Sequence, residues 1–277
     1  MTMRPSVKKI LIAILILVAP ISLFAQRNPT WPSLDYIIAN ADQVIIGRIV
    51  EVGATTRDKN GDDQQPIVLA VDETLKGESV QRLPLDHSLL LLRPQLRGEI
   101  PLSNPVNSAA RSHRLLVAVR KKGAAVVQVY GIDLDGKDLS VIAADLKILT
   151  KPADVIRTAK DVVHRIPEKP KESEFFEWAP DPEFLKGTPF AIYGIIVPVD
   201  QVLQNRAEAF LHAPNDKGHQ YYSAHCQAIN ALRHFKSDEN ILLLMGLLSD
   251  SDFYVHQDAA IVLKGWGLDV VVPVQHE

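Results

Sequence analysis

The spacing of apolar residues changes along this chain, from short runs that alternate with polar residues in the first half to runs at helical spacing near the end. Residues 223–267 are the most regular stretch. When the sequence is aligned with itself, residues 227–235 match residues 258–266 at an offset of 31, and residues 209–215 match residues 246–252 at an offset of 37. Offsets in this range are typical of stacked helical repeats, so the pattern predicts two helix–turn–helix units.

Local capping residues support these two units. Asp200, Ser237 and Asp252 each stand at the N-cap position before an apolar run, where a side-chain oxygen can accept a backbone N–H. Gly267 follows the last run at the C′ position, which favours glycine. Because the two offsets differ by six residues, we expect the first unit to carry a longer turn within residues 214–220.

The run V-x-x-x-A-A-x-x-L-x-x-x-G at residues 255–267, after an Asp-containing turn, resembles a HEAT-like repeat. The resemblance covers the last quarter of the chain with about two units, and His256 stands where such repeats often carry Arg. Two units are fewer than a free-standing solenoid needs, so we expect the pair to pack against the rest of the protein. The resemblance implies a recognition surface, and a plain helical subdomain without a binding role is the alternative.

Residues 33–150 have the pattern of a β-rich domain. After a short helix at residues 33–42, runs of β-branched and aliphatic residues are separated by polar turns, including a hairpin signal at Asn60 and Gly61. Gly47 predicts a bend or bulge. The predicted strands are residues 43–52, 67–75, 88–92, 114–119, 124–131 and 139–148. This arrangement indicates a small barrel or sandwich.

The sequence A-D-Q-V-I-I-G-R-I-V-E-V at residues 41–52, followed by V-D-E-T-L-K-G at residues 71–77, resembles the start of an OB-like barrel of the netrin/TIMP-like kind in secreted bacterial proteins. The disulfide framework and N-terminal cysteine of metalloproteinase inhibitors are absent, so the resemblance does not extend to protease inhibition. The predicted fold is therefore α+β, with an N-terminal small OB-like antiparallel β-barrel followed by a C-terminal α-helical HEAT-like repeat pair. The predicted divisions are a signal peptide (1–25), the barrel (33–150), a helix and proline-rich linker (151–198) and the helical repeats (199–267).

The linker region combines a helix, an extended segment and a strand. Apolar residues at helical spacing predict a helix at residues 152–165, prolines mark an extended loop at 167–189, and residues 190–199 read as a buried strand. Four aromatic residues lie in the loop: Phe175, Phe176, Trp178 and Phe184. Such a cluster either binds a ligand or tacks the loop onto a neighbouring domain, and we expect the second role.

The N-terminus has the pattern of a cleaved Sec-type signal peptide. Arg4, Lys8 and Lys9 precede the apolar run 10–18, and Ala25 is a small residue suited to the cleavage site. The apolar run is shorter than the ~20 residues that span a bilayer, so an uncleaved anchor is the less expected alternative. We therefore predict a secreted or periplasmic protein.

Charge narrows the classes of partner. Removing residues 1–25 leaves 27 basic and 33 acidic side chains, a net charge of −6. An acidic surface disfavours nucleic acid and strong membrane binding, because both require basic patches. Cys226 is the only cysteine, so the chain has no internal disulfide, and we expect a partly buried free thiol.

No motif with a catalytic or metal-binding mechanism is visible. His219, His225, Cys226 and His234 point in different directions on a helix and do not predict a zinc site. Residues 58–63 (DKNGDD) lack the glycine and glutamate positions of a calcium loop. Nucleophile-elbow, phosphate-loop, dinucleotide and H-E-x-x-H patterns are also absent. We therefore assign no catalytic, cofactor-binding or metal-binding residue and no cofactor.

These observations predict a non-enzymatic extracytoplasmic protein that acts as a protein–protein or ligand binding module. Two alternatives stay open. One is a hydrolase with a site assembled from the loops 93–112 and 167–189, for which His87, His113 or His164 would have to approach a Ser or Asp. The other is a purely structural envelope protein, whose helices would expose no apolar patch.

Overall fold

The computed structural model describes residues 30–57, 63–86, 90–92, 112–137, 139–178, 194–212 and 219–273. Within these residues the protein has an α+β structure with a curled antiparallel sheet and six α-helices, which confirms the predicted fold class at this level. The predicted signal peptide, residues 1–25, lies outside them. The strands are β1 (Thr30–Pro32), β2 (Gln43–Val52), β3 (Thr56–Arg57), β4 (Asp63–Gln64), β5 (Pro66–Lys76), β6 (Arg82–Asp86), β7 (Leu90–Leu92), β8 (Leu115–Lys122), β9 (Ala125–Asp133), β10 (Val141–Ile142), β11 (Ile148–Leu149), β12 (Phe175–Trp178) and β13 (Gly194–Pro198). The helices are α1 (Leu34–Asn40), α2 (Pro152–Arg165), α3 (Gln201–His212), α4 (His219–Leu232), α5 (Asp238–Leu247) and α6 (Phe253–Gly265).

The main sheet has the strand order β6-β5-β2-β8-β9-β7. The first five strands are antiparallel neighbours and curl into a half-barrel, and β7 adds to β9 in parallel. The predicted irregularity at Gly47 is confirmed, because the pairing of β2 with β5 shifts register between Ile46 and Gly47. A Cβ atom at Gly47 would clash with the Ala70 carbonyl oxygen, so the close approach of the two backbones requires glycine here.

Most of the predicted strands are present. The structure adds the strands β1, β3, β4, β6 and β12, and β12 lies within the segment 167–189 that the sequence predicted as an extended loop. The predicted strand 139–148 is wrong: β10 and β11 are an antiparallel pair joined by a turn in which Leu146 has a φ of +66°. The edge strand β6 is absent from the predicted elements. It contains Pro84, which lies at the sheet edge where a missing N–H is tolerated. The predicted turn at Asn60 and Gly61 lies outside the described residues, between the paired strands β3 and β4.

Alternation along β2 and β8 divides the sheet into two faces. The inner core occupies one face and consists of strand residues such as Ile45, Leu69 and Val117. The outer core occupies the opposite face, where Ile46 and Leu116 pack beneath α1 and α2. Adjacent residues of one strand therefore enter different cores, as the two-residue period of a strand requires.

A third core, the helical core, lies between α3–α6 and a small sheet with the strand order β1-β13-β12. The loop aromatics join the helical core to the outer core. Phe176 and Trp178 are buried in the helical core, whereas Phe175 packs edge-on against Tyr36 at 4.7 Å between ring centroids, on the outer-core side. Three of the four aromatic residues thus have the predicted packing role, and Phe184 lies outside the described residues.

An ion-pair bridge joins the sheet to the helices at one point. The Arg165 guanidinium, at the end of α2, donates to Asp35 Oδ1 at 2.7 Å and to Asp200 Oδ2 at 2.9 Å. Asp35 lies in α1, and Asp200 caps α3 by accepting the Val202 N–H at 2.9 Å. The other Asp35 oxygen accepts the Ala144 N–H at 2.7 Å. One arginine therefore connects three helices that belong to two different cores.

The Asp35 carboxylate in this bridge is buried, so its ionised form has a desolvation cost. The Asp35 side chain is only 4% exposed, and burial raises the pKa of its carboxyl despite the hydrogen bonds from Ala144 and Arg165. A buried carboxylate without its cation has a large desolvation penalty. At neutral pH the arginine therefore offsets part of the cost of burying the Asp35 carboxylate.

We expect Arg165→Ala to lower the free energy of unfolding by about 2–4 kcal/mol near neutral pH, because it leaves Asp35 buried and unpaired. The raised pKa of Asp35 in the folded state sets the sign of the pH dependence. Protonated Asp35 has a much smaller desolvation penalty than the carboxylate, so the loss should shrink as the pH falls from about 7 to about 4. Urea unfolding at several pH values measures this.

Arg157→Ala is the matched control for this bridge. Arg157 lies on the same helix but is exposed and pairs only with Asp154 three residues away, so its removal should change stability by at most about 0.5 kcal/mol at any pH. Equal losses for the two arginine variants would contradict the role of the bridge.

We also expect Gly47→Ala to lower the free energy of unfolding by about 1–3 kcal/mol, since the added methyl group meets backbone that has no room to move. Gly246→Ala is the control. Gly246 lies in α5, and a Cβ atom added there would have no heavy atom within 4 Å, so alanine should raise stability by about 0.5–1 kcal/mol. Denaturant midpoints of both variants test the pair, and an unchanged midpoint for Gly47→Ala would contradict it.

Candidate functional site

The helical hairpin of α5 and α6 is built by local capping. Ser237 Oγ accepts the Asn240 N–H at 3.1 Å, and Asp252 Oδ1 accepts the Tyr254 N–H at 2.9 Å. Gly267, with a φ of +90°, lies just beyond the end of α6. These contacts confirm the predicted caps and fix where each helix begins and ends.

The inward sides of both helices enter the helical core. Leu244 of α5 and Val255, Ala259 and Leu263 of α6 are fully buried there. The small side chain of Ala259 suits the close packing of α6 on its neighbours, and α6 contacts both α4 and α5. These residues account for the stability of the hairpin, and its outward sides contribute little to it.

The outward sides carry four large apolar residues, which we call the α5–α6 surface: Leu242, Met245, Tyr254 and Ile261. Their exposures are 70%, 48%, 44% and 50%. Leu242 and Met245 are three residues apart and share one face of α5, and Tyr254 and Ile261 are seven apart and share one face of α6. A short turn joins the two helices, so Met245 and Tyr254 lie towards the same end of the hairpin.

Acidic residues accompany the α5–α6 surface on both helices. Asp238 precedes Leu242 by one turn, and Asp258 lies between Tyr254 and Ile261 at helical spacing. Within the part of the chain that the structure describes, neither carboxylate forms an ion pair, although Asp258 accepts a hydrogen bond from Asn230 Nδ2 at 3.1 Å. The surface is therefore apolar at its centre and negatively charged beside it.

The histidine and cysteine cluster noted in the sequence does not form one site. His225 is buried and packs edge-on against Phe210 at 5.5 Å, whereas His234 packs against Phe176 at 6.3 Å. Burial lowers the pKa of His234, with a further contribution from Arg233. Cys226 is half-buried, and the side chain of His219 lies outside the described residues. Among the residues whose placement is described, no three His, Cys, Asp or Glu side chains are arranged to hold a metal ion.

One of the three histidines named for the hydrolase alternative does approach an aspartate. His113 Nδ1 lies 2.9 and 3.1 Å from the two Asp133 carboxylate oxygens. The next residues along the chain repeat the pattern, since Arg114 binds Asp135 and lowers the pKa of that carboxyl to about 2. His164 is exposed on α2, and His87 lies outside the described residues.

Arg206 is a half-buried cation that the sequence did not reveal. Its guanidinium lies over the Trp178 ring, 5.2 Å from the centroid, and Nη1 donates to the Asp145 carbonyl oxygen at 2.9 Å. Burial lowers the pKa of Arg206 to about 10. The alternation of F-F-E-W, which places Trp178 on the buried side of β12, was the only sequence signal for this contact. The hydrogen bond from Arg206 to the Asp145 carbonyl oxygen holds the 143–147 turn against α3. Arg206 therefore has a structural role.

No helix among the described residues has both the length and the apolar character needed to cross a membrane.

Leu242 and Leu244 lie on the same helix, α5, but Leu242 is exposed and Leu244 is buried in the helical core. We expect Leu242→Gln to keep the free energy of unfolding within about 0.5 kcal/mol, because Leu242 is exposed and glutamine is a comparable helix former. Leu244→Ala should lower it by about 2–5 kcal/mol, because it leaves a cavity in the helical core. Thermal and urea unfolding provide the measurement, and a large loss for Leu242→Gln would show that the residue is buried.

No known protein family matches this sequence, and no curated protein is detectably similar to it.

Proposed function

We propose that the protein is a non-enzymatic extracytoplasmic binding module that recognises a protein partner through the α5–α6 surface. The observation that carries the proposal is the exposure of Leu242, Met245, Tyr254 and Ile261 on the outward sides of two neighbouring helices. Burying a large apolar side chain contributes about 1.5–3 kcal/mol, and exposed apolar patches mark interaction sites. Four such residues supply enough driving force for a specific contact.

The same observation separates this proposal from a purely structural role. Helices that only cover the sheet need apolar residues on the side that faces the core, and their solvent side is then free to be polar. Here α5 carries Leu242 and Met245 on the solvent side, where they do not contribute to the helical core. We therefore favour binding over a structural envelope role.

The finer architecture forms part of the proposal. We propose that α3 with α4, and α5 with α6, are two HEAT-like units. Their order along the chain and the packing of α4 against α6 support this. We also propose that the curled sheet is related to OB-like barrels of the netrin/TIMP-like kind. The support is the bulged, strongly paired β2–β5 hairpin at the positions where the sequence resemblance lies.

The extracytoplasmic location rests on the sequence of residues 1–25, with basic residues before an apolar run and a small residue at the expected cleavage point. The net charge of −6 after removal of these residues supports a protein partner over nucleic acid or an anionic membrane surface.

A hydrolase is the second candidate, and His113 with Asp133 is the observation that favours it. An aspartate that binds one nitrogen of a histidine ring can orient that ring as a general base. Both side chains are about one-third exposed at the ends of β8 and β9, which leaves the ring accessible. A His–Asp pair can also be an ordinary surface contact, and that is its role if the protein is a binding module.

A pull-down with matched surface variants tests the binding proposal. The chain from residue 26 onwards is crosslinked in its native envelope fraction as wild type, as L242Q/M245Q and as V50T/V127T. Val50 and Val127 are exposed apolar residues of the sheet, so V50T/V127T controls for the loss of apolar surface elsewhere. We expect L242Q/M245Q to recover about tenfold less of the partner, because two apolar anchors are lost, and V50T/V127T to recover as much as wild type.

Equal recovery by the two double variants would contradict the proposed surface. Turnover of ester or peptide substrates by the purified protein, lost in His113→Ala and also reduced in Asp133→Asn, would replace the binding proposal with the hydrolase.

A further inference from the structure

We infer that the partner presents a basic amphipathic helix to the α5–α6 surface, with Lys or Arg beside its apolar side chains. This inference rests on the proposed binding function and names the chemistry of the partner. It is carried by the charge of the residues that surround the four exposed apolar side chains.

The segment that contains α5 and α6 is strongly acidic. Residues 236–273 hold six acidic and two basic side chains, a net charge of −4, whereas the whole chain of 277 residues has a net charge of only −3. One of the two basic groups is already engaged, because the Lys236 ammonium donates to the Trp266 carbonyl oxygen at 2.6 Å. Negative charge is thus concentrated in the part of the protein that exposes the apolar residues.

Most of these carboxylates have no cationic partner in the part of the chain that the structure describes. Asp238, Glu239, Asp250, Asp258 and Asp269 form no ion pair with any residue in the described ranges. Several acidic groups elsewhere are paired, for example Asp72 with Arg48, Asp135 with Arg114 and Asp42 with Lys169. A positively charged partner at the α5–α6 surface would therefore meet carboxylates without having to displace an existing ion pair.

The spacing of charge and apolar residues suits a helix. On α5 the exposed face runs Asp238, Leu242, Met245. On α6 the exposed residues Tyr254 and Ile261 are seven positions apart, and Asp258 between them is half-buried and accepts a hydrogen bond from Asn230. Each helix thus offers two exposed apolar contacts within about two turns, and α5 adds the exposed carboxylates of Asp238 and Glu239, which is the spacing of an amphipathic helix that lies along it.

The charge also argues against a second copy of this chain as the occupant. A symmetric dimer through the α5–α6 surface would bring the same acidic residues of two copies together, which is unfavourable for like charges. A basic helix from a different protein removes the repulsion and adds attraction.

Two labelled peptides of about 18 residues, roughly five helical turns, test the inference. Both carry the same apolar residues at helical spacing, one with Lys and the other with Glu at the polar positions. Binding to the chain from residue 26 onwards is measured by fluorescence anisotropy at low and high salt. We expect the Lys peptide to bind about tenfold more tightly, and the difference to shrink as salt screens the charges.

Two double variants test whether the peptide binds at the acidic and apolar residues of α5. D238N/E239Q should weaken the Lys peptide about threefold through loss of charge, and L242Q/M245Q should weaken both peptides by a similar factor or more. Equal affinity for the two peptides would overturn the basic-helix inference and leave the surface as a binding site for another chemistry. Absence of binding by either peptide would also overturn it, and the pull-down with L242Q/M245Q would then judge the binding function separately. Lys-peptide binding that L242Q/M245Q does not weaken would overturn it as well, because the attraction would then be electrostatic only.

Discussion

The bridge made by Arg165 is the interaction on which the arrangement of this protein depends. Asp35 is buried in a helix that packs on the sheet, and a carboxylate in that position requires a cation and directed hydrogen bonds. Arg165 supplies the cation and, through its second donor, binds the residue that caps α3. Because one guanidinium satisfies both carboxylates, the outer core of the sheet and the start of the helical core are fixed relative to each other.

The other helices are connected to this bridge through a series of contacts. The 143–147 turn is held from both sides, since Asp35 accepts the Ala144 N–H and Arg206 donates to the Asp145 carbonyl oxygen. From there α4 packs on α3, α6 packs on α4, and α5 packs on α6. In this series of helix contacts α5 is the last. The exposed side of α5 carries Leu242 and Met245, which form part of the α5–α6 surface.

Local sequence signals predicted most helices and strands. They did not predict contacts between residues that are far apart in the sequence. The caps at Ser237 and Asp252 and the helix over residues 152–165 follow from neighbouring residues alone, and all are present. The 139–148 prediction failed because apolar content alone does not reveal that Leu146 takes a left-handed conformation. Arg165 and Asp35 are separated by 130 positions, so no pattern could pair them. The candidate surface was hidden because ILLLMGLL is apolar at nearly every position and does not show which leucines face outward.

The most direct test of the α5–α6 surface is photo-crosslinking from single positions in the native envelope. A photoreactive phenylalanine analogue is placed at Leu242 in one strain and at Val50 in another, since both positions are exposed and lie on different parts of the protein. We predict a discrete crosslinked protein from position 242, which disappears when Arg165→Ala loosens the junction that positions the helices, and none from position 50. The same crosslinked product from both positions, or a product from position 50 alone, would contradict a partner site on these helices.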